Sequence, residues 1–496
     1  MSRKPNILLI TADQLRADVL GCHGNPVCRT PNLDALADSG TLFENAYTPN
    51  PICVPARATI TTGNYSHRAT GTKNNSGRIR DDQPILARHF AAHGYRTYAC
   101  GKLHYVPYQA PDKPRLTHGF EVWDSAESGR MIKQFDPKGR RGGVEDYHDF
   151  LCENGWGGYE RAHGIGNNDV RPCASPLPEE LNVDHWVADR TIQRLGEHER
   201  DHSDQPFLMW CSFPKPHSPY DPPMGYADMY DPRQVPECAG DESMLDDRNP
   251  NIIRTRTTHA HDSLSPEARR VIKAYYYALT TFHDAQIGRV LSKLEELGLA
   301  EDTIVIYTAD HGDLMGDFGS WFKQYFLEGS AHIPLIVRTP DGPEGQRRTQ
   351  LAGLQDILPT LADLTGCPLD QEVHGTSLRP CICDDWPTRE LFYGQCNDAP
   401  RQAAMVTDGT IKYCWAQENG TEELYNLAED PQELVNLASR AENETLLAEW
   451  RGKLIEQAKR FEDNGLFDDD GQLVRTKVDL DELRKLPVGG MGWRWY

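Results

Sequence analysis

The chain has 496 residues, 38% of them hydrophobic and 25% charged, and a formal net charge of −22. That length predicts two domains, or one large domain with an appendage. The composition excludes a disordered chain, and the acidity argues against nucleic acid as a partner.

No apolar run reaches the roughly 18 residues that cross a bilayer. The apolar start, Ile7-Leu8-Leu9-Ile10, is short and no small-residue cleavage site follows it. The expectation is a cytoplasmic protein without a membrane anchor. Thirteen cysteines show no paired spacing, and an odd number in a long chain predicts free thiols.

Residues 6–11 read as a buried strand, and Pro31-Asn32 opens a short helix over 33–38 that Gly40 closes. A strand follows over 42–48, and a helix is expected to start near Pro55. Residues 83–93 are helical up to Gly94, and 95–100 form a strand. From 110 to 178 the pattern dissolves into Gly, Pro, Asp and aromatic residues, which predicts functional loops. A helix over 183–198 precedes a strand over 207–213 and a second irregular loop over 214–264. The long helix 266–297 leads to strands at 303–308 and 334–338 and a helix at 354–364 closed by Gly366.

This alternation predicts an α/β fold with a large, mostly parallel sheet flanked by helices. Ligands of such sheets bind beyond the carboxyl ends of the strands. Beyond Gly375 the pattern changes to short antiparallel strands at 390–394, 403–407 and 410–415, with Asp408-Gly409 as a hairpin turn, and a helix over 443–461. The expected division is a catalytic domain over 1–378 and a smaller C-terminal α+β domain over 379–496.

Several short segments carry reactive side chains. Asp13-Gln14 follows the first strand, and Asp310-His311-Gly312 follows the strand over 303–308. Gly101-Lys102-Leu103-His104 follows the strand over 95–100, and Lys215-Pro216-His217-Ser218-Pro219 follows that over 207–213. Cys53-Val54-Pro55-Ala56-Arg57 is followed by Thr62-Gly63, and Trp321-Phe322-Lys323 by Glu328-Gly329 and Pro334-Leu335-Ile336-Val337. Alone, each has an ordinary reading: a turn cap, a solvated lysine, a small buried thiol.

Together and in this order, these segments resemble the sulfatase family, whose fold is alkaline-phosphatase-like. The resemblance runs from about Pro5 to Leu378, with a weaker echo at Glu423-Leu424-Tyr425-Asn426-Leu427, Asp430-Pro431, Glu433 and Asn436-Leu437. It implies hydrolysis of a sulfate monoester of an aryl group, a sugar or a small alcohol. It also implies a formylglycine nucleophile made from Cys53 by a formylglycine-generating maturation enzyme. Asp13, Gln14, Asp310, His311 and the modified Cys53 would hold one divalent cation. Oxygen donors suit calcium or magnesium, and the imidazole widens the choice to manganese.

By the same resemblance Arg57 holds the hydrated aldehyde, and Lys102 and Lys323 stabilise charge on the sulfate. His217 protonates the departing alcohol, and His104 later acts as base. The Gln14 and His311 variants resemble choline sulfatases and phosphonate monoester hydrolases, so phosphonate or phosphate ester cleavage stands as the alternative. His67, Arg68, Asn74, Asn75, Arg140, Arg141 and the aromatic loop Trp156-Gly157-Gly158-Tyr159 are candidate leaving-group contacts. The aromatic tail Trp493-Arg494-Trp495-Tyr496 predicts packing on its own domain or on a second copy, hence a homo-oligomer.

Overall fold

A computed structural model describes residues 4–137, 142–384 and 386–489. The aromatic tail at 493–496 lies outside the described residues. The first sheet has eight strands: β1 (Asn6–Asp13), β2 (Thr41–Tyr47), β3 (Arg96–Gly101), β4 (Val122–Ser125), β5 (Phe207–Pro216), β6 (Thr303–Ala309), β7 (Leu335–Arg338) and β8 (Gln346–Gly353). Their order is β4-β3-β5-β1-β6-β7-β2-β8. Strand β1 is central, and all eight of its residues are buried. Covering on both faces explains its near-continuous apolar run. Each fully buried Ile or Leu there contributes about 1.5–3 kcal/mol.

β3, β4, β5, β1 and β6 run parallel, so their carboxyl ends share one edge. β7 is antiparallel to both β6 and β2. The reversal follows from the connection. Between β6 and β7 the chain forms a short 3-10 turn, Asp317–Gly319, and a four-residue helix, Glu328–Ala331. It has no crossover helix to carry it back to the starting edge, and an antiparallel return needs none.

The helix expected near Pro55 begins two residues earlier, as Cys53–Thr62. Proline sits in the first turn, where its missing N–H had no intrahelical partner to lose. The shift puts Cys53 at the helix N-terminus. The stretch 110–178 holds β4 and the helices Arg130–Phe135 and Asp146–Glu153. These are too short to impose a period against their loops. β8 went unread because its first half is a polar edge, Gln346-Arg347-Arg348-Thr349-Gln350.

The second sheet is an antiparallel meander of β9 (Phe392–Cys396), β10 (Ala403–Thr407), β11 (Ile411–Ala416) and β12 (Thr421–Asn426). The helix Glu444–Arg460 covers one side through Trp450, Leu454 and Ala458. On another face Phe392, Cys396, Met405 and Cys414 pack with Ile52, Phe326 and Ala331. The thirteen cysteines are all free thiols. Among the described residues no helix is long and apolar enough to cross a membrane.

One buried ionic cluster ties the two sheets. Lys412 of β11 has no exposed side-chain surface and pairs with Glu328 at 2.7 Å and Glu433 at 2.5 Å. Lys412→Met should destabilise the protein by about 3–5 kcal/mol in denaturant unfolding, because it leaves the buried Glu433 without its cation and the half-buried Glu328 with His332 alone. Adding Glu433→Gln should recover part of that loss. A single-mutant cost below about 1 kcal/mol, the range of exposed pairs, would show that the cluster carries no structural weight.

Candidate active site

Four adjacent parallel strands deliver the chemistry. β3, β5, β1 and β6 end in Gly101, Pro216, Asp13 and Ala309. Each is followed at once, or ended, by a polar residue: Lys102, His217, Asp13 and Asp310. The registers align these ends, with Ala12 opposite Ala309 and Asp13 opposite Pro216. Gly101 is required here, since a Cβ at its φ of +101° would lie 1.9 Å from the Ser212 carbonyl oxygen.

Asp13, Cys53, Asp310 and His311 are buried, and one donor atom of each lies within 4.8 Å of all the others. Cys53 Sγ is 3.1 Å from His311 Nε2 and 3.8 Å from Asp13 Oδ1. His311 Nε2 is 3.6 Å from Asp310 Oδ1 and 3.9 Å from Asp13 Oδ1. The Gly312 carbonyl lies 2.9 Å from His311 Nδ1, placed to accept an Nδ1–H. In the neutral tautomer with that proton, the Nε2 lone pair faces the carboxylates, as a metal-bound imidazole requires.

Gln14 has φ +68°, a left-handed conformation rare for a non-glycine residue. Its amide N–H donates to Asp313, so Oε1 turns the other way and accepts from Lys323. Two carboxylates and an imidazole nitrogen thus converge, and the Gln14 amide oxygen is held by Lys323. That donor set fits a divalent cation of the hard or borderline class.

The cations around it are arranged in layers. Arg57 Nε donates to Asp310 Oδ2 at 2.8 Å, and its NH1 donates to Ser212 Oγ at 2.8 Å and to the Lys102 carbonyl. Its NH2 is buried without a hydrogen-bond partner, 3.9 Å from Asp13 Oδ2. Lys102 is fully buried and pairs with Asp13. Burial opposes ionisation of Asp13, but Lys102, His217 and Arg57 outweigh it and hold the carboxyl well below its usual range. Burial also opposes the Cys53 thiolate, yet Lys323, Lys102 and His311 bring the thiol down to about 7. Asn75 Oδ1 accepts from the Val54 N–H at 3.1 Å and secures the turn that begins at Cys53.

The two remaining histidines are held neutral. Burial, with Lys323, pushes His217 well below the ordinary imidazole value. Its Nδ1 lies 2.7 Å from the Ser218 carbonyl, which leaves Nε2 available. Burial, with Arg130 and Lys102, does the same for His104, whose Nδ1 is buried without a partner and whose φ is +56°. Non-glycine residues in this region cost on the order of 1–3 kcal/mol each, and cluster at functional sites.

Two residues of the site were not foreseen. Arg130 acts electrostatically on Lys102, His104 and His217, but it lies in the aperiodic stretch 110–178. Asp313 fixes the Gln14 amide and accepts from the Tyr220 hydroxyl at 2.5 Å. Its place three residues after Asp310 was the available signal. Of the leaving-group candidates, His67 bonds the Phe461 carbonyl, Arg68 the Glu372 carbonyl and Asn74 Asp398. Trp156 and Tyr159 pack edge to face on each other. Asn75 bonds the first turn of the Cys53 helix through the Val54 N–H. Arg140 and Arg141 lie outside the described residues.

Comparisons with known proteins agree with this geometry. The Sulfatase family model matches residues 5–367, and a model described as N-sulphoglucosamine sulphohydrolase, C-terminal, matches 316–460. The chain is 32% identical to an arylsulfatase of Clostridium perfringens (strain 13 / Type A), over 95% of this chain and 98% of that one. It is 30% identical to a choline-sulfatase of Rhizobium meliloti (strain 1021), over 88% and 82%. Its fold is similar to that of the phosphonate monoester hydrolase of Agrobacterium radiobacter, with a TM-score of 0.76 and 24% identity over 95% of this chain and 100% of that one. With its mixed, mostly parallel eight-stranded sheet, its four-stranded antiparallel sheet and the buried Asp13, Cys53, Asp310 and His311 group, the chain belongs to the sulfatase family of sulfuric ester hydrolases.

Proposed function

We propose that this chain hydrolyses a sulfate monoester with oxidised Cys53 as its nucleophile and one divalent cation held by Asp13, Gln14, Asp310 and His311. The observation that carries this reading is the position of Cys53. Its side chain starts a helix and ends 3.1 Å from the His311 imidazole, beside two buried carboxylates. A cysteine serving only as core filling needs no such company.

Formylglycine at this position, in its hydrated form, supplies two hydroxyls where a serine would supply one. The cation, calcium or manganese by its donor set, lowers the pKa of an oxygen nucleophile and polarises a sulfate oxygen when bound. The chain's own residues do the rest. Lys102 and Lys323 flank the cluster and offer ammonium donors to the sulfate oxygens, where charge builds up. Arg57 holds the two carboxylates in place, and its unpartnered NH2 lies 3.9 Å from Asp13 Oδ2. Arg130 adds a further positive charge. Four cationic side chains against two carboxylates make an anion-attracting spot on a chain whose net charge is −22.

His217 is neutral in the free enzyme, because burial and Lys323 disfavour its proton. A bound sulfate anion opposes Lys323 and lets Nε2 take up a proton, which it then gives to the leaving oxygen. His104, held neutral by burial and by Arg130 and Lys102, is able to accept a proton from a hydroxyl at residue 53.

Three outcomes test this reading. Peptide mass spectrometry should find residue 53 without its sulfur in active enzyme. Cys53→Ala should lower kcat roughly 10³-fold or more, while Cys238→Ala, in a loop away from the cluster, should stay near wild type. Full activity with an unmodified thiol at residue 53 would end the proposal. Chelator treatment should abolish hydrolysis of 4-nitrophenyl sulfate, and calcium or manganese should restore it with about one ion per chain by elemental analysis. Undiminished turnover by metal-free protein would refute the metal role. Finally, His217→Ala should slow alkyl sulfates about 10²–10⁴-fold and 4-nitrophenyl sulfate far less, because nitrophenolate departs without a proton. An unchanged dependence on leaving-group basicity would remove His217 as the acid. Phenyl phosphonate esters are the discriminating substrates for the alternative reaction: a higher kcat/KM on them than on aryl sulfates would reassign the enzyme.

A further inference from the structure

His104 has a task in the function proposed above, but its own side chain does little to hold it there. Its Nδ1 is buried without a hydrogen-bond partner. Its ring lies parallel to that of Tyr108 with centroids 6.4 Å apart, a loose contact. Its backbone is left-handed, at φ +56°. Few non-glycine residues adopt that region, and those that do are kept there by their surroundings. The imidazole therefore goes where the backbone sends it.

Upstream, that backbone is tied to the sheet. The Lys102 N–H donates to the Ser212 carbonyl at 2.9 Å, and the Lys102 carbonyl accepts from Arg57 and from the Ser212 hydroxyl. Downstream, the anchor is a side chain from another loop. Glu127 Oε1 accepts from the Leu103 and His104 N–H groups, each at 2.8 Å. Its Oε2 accepts from the Tyr108 hydroxyl at 2.7 Å. One carboxylate thus holds two successive amides and the residue whose ring faces His104.

Glu127 has no exposed surface and is itself held in place. Ser128 and Gly129, which follow it, are both left-handed, at φ +57° and +73°. Glu145 Oε1 spans that turn, accepting from the Glu127 N–H at 2.8 Å and the Gly129 N–H at 3.2 Å. Arg130 NH1 donates to the Glu127 carbonyl at 3.1 Å. Contacts therefore run without a break from Glu145 through Glu127 to the His104 backbone.

We infer that Glu127 is a positioning residue for His104: its carboxylate fixes the left-handed turn that presents the imidazole to the active site. Glu127 touches no reacting atom, and the inference rests on the base role given to His104 under the proposed function. In that role the ring takes the proton of the free hydroxyl on residue 53 after the sulfo group has been transferred to the other. The carbon–oxygen double bond forms as the bond from that carbon to the sulfate oxygen breaks, and sulfate leaves with the electron pair. A misplaced imidazole slows this release and spares the transfer before it.

Two variants separate position from charge. Glu127→Gln keeps an oxygen at the same reach but removes the charge. Glu127→Asp keeps the charge and withdraws both oxygens by one methylene. On 4-nitrophenyl sulfate, Glu127→Asp should lower kcat about 10²-fold, and Glu127→Gln should lose far less. Peptide mass spectrometry of enzyme quenched during turnover should find a sulfo group retained on residue 53 in both Glu127→Asp and His104→Ala. In a double-mutant cycle, Glu127→Asp should cost little more once residue 104 is alanine. Thermal melting separates this from a loss of fold, which would add to the His104→Ala defect instead of vanishing within it. A larger loss in Glu127→Gln than in Glu127→Asp, or full additivity with His104→Ala, overturns this inference alone. A His104→Ala enzyme as fast as wild type, or a wild type inactive on every sulfate ester, overturns the proposed function beneath it.

Discussion

Two carboxylates buried side by side organise this molecule. Asp13 ends β1 and Asp310 follows β6, and the parallel pairing of those strands puts the two groups on one edge. Neither has any exposed surface. Buried like charges repel strongly in a low dielectric and persist only with cations around them. Arg57 answers Asp310, and Lys102 answers Asp13. The imidazole of His311 completes a donor group that a divalent cation would fill. Every other feature of the site is a consequence of holding those charges in place.

The helix Cys53–Thr62 carries both a demand and its remedy. Its first residue is the candidate nucleophile, and Arg57, one turn later, reaches the carboxylates. A 3.6-residue turn puts positions 53 and 57 on the same face. The helix N-terminus also favours negative charge at residue 53. The short spacing of the Cys-x-Pro-x-Arg segment is therefore a geometric requirement.

The second sheet supports the site from beneath. Ile52 precedes Cys53, and Phe326 lies three residues beyond Lys323. Both pack with Phe392, Met405 and Cys414 of the antiparallel strands. The Gln324 N–H donates to the Pro51 carbonyl at 3.1 Å, and the Lys412 cluster anchors Glu328 of the same loop. Gly394 lets Phe326 approach, since a Cβ there would lie 2.7 Å from its ring. Small displacements of a supporting layer misplace reacting groups enough to cost large factors in rate. This gives the C-terminal sheet a positioning task in addition to its own stability.

The sequence by itself determined the strands that carry reactive ends. β1, β3, β5 and β6 are apolar enough to be read directly, and Asp13, Lys102, His217 and Asp310 fall at or just past their ends. It also paired Cys53 with Arg57, through the resemblance of the Cys-x-Pro-x-Arg segment to the sulfatase family, while the helix that puts both on one face came from the structure. What the tertiary structure decided were the contacts made across long stretches of chain. Asp313 matters because it orients Gln14, 299 residues away in sequence. Arg130 comes from a stretch without period, where no local rule signals which side chain turns inward. The protonation of His104 and His217 was likewise invisible, because it depends on burial and on cations brought from other strands. Periodicity and spacing are short-range properties of the chain; electrostatic environment and unsatisfied polar atoms belong to the packed whole.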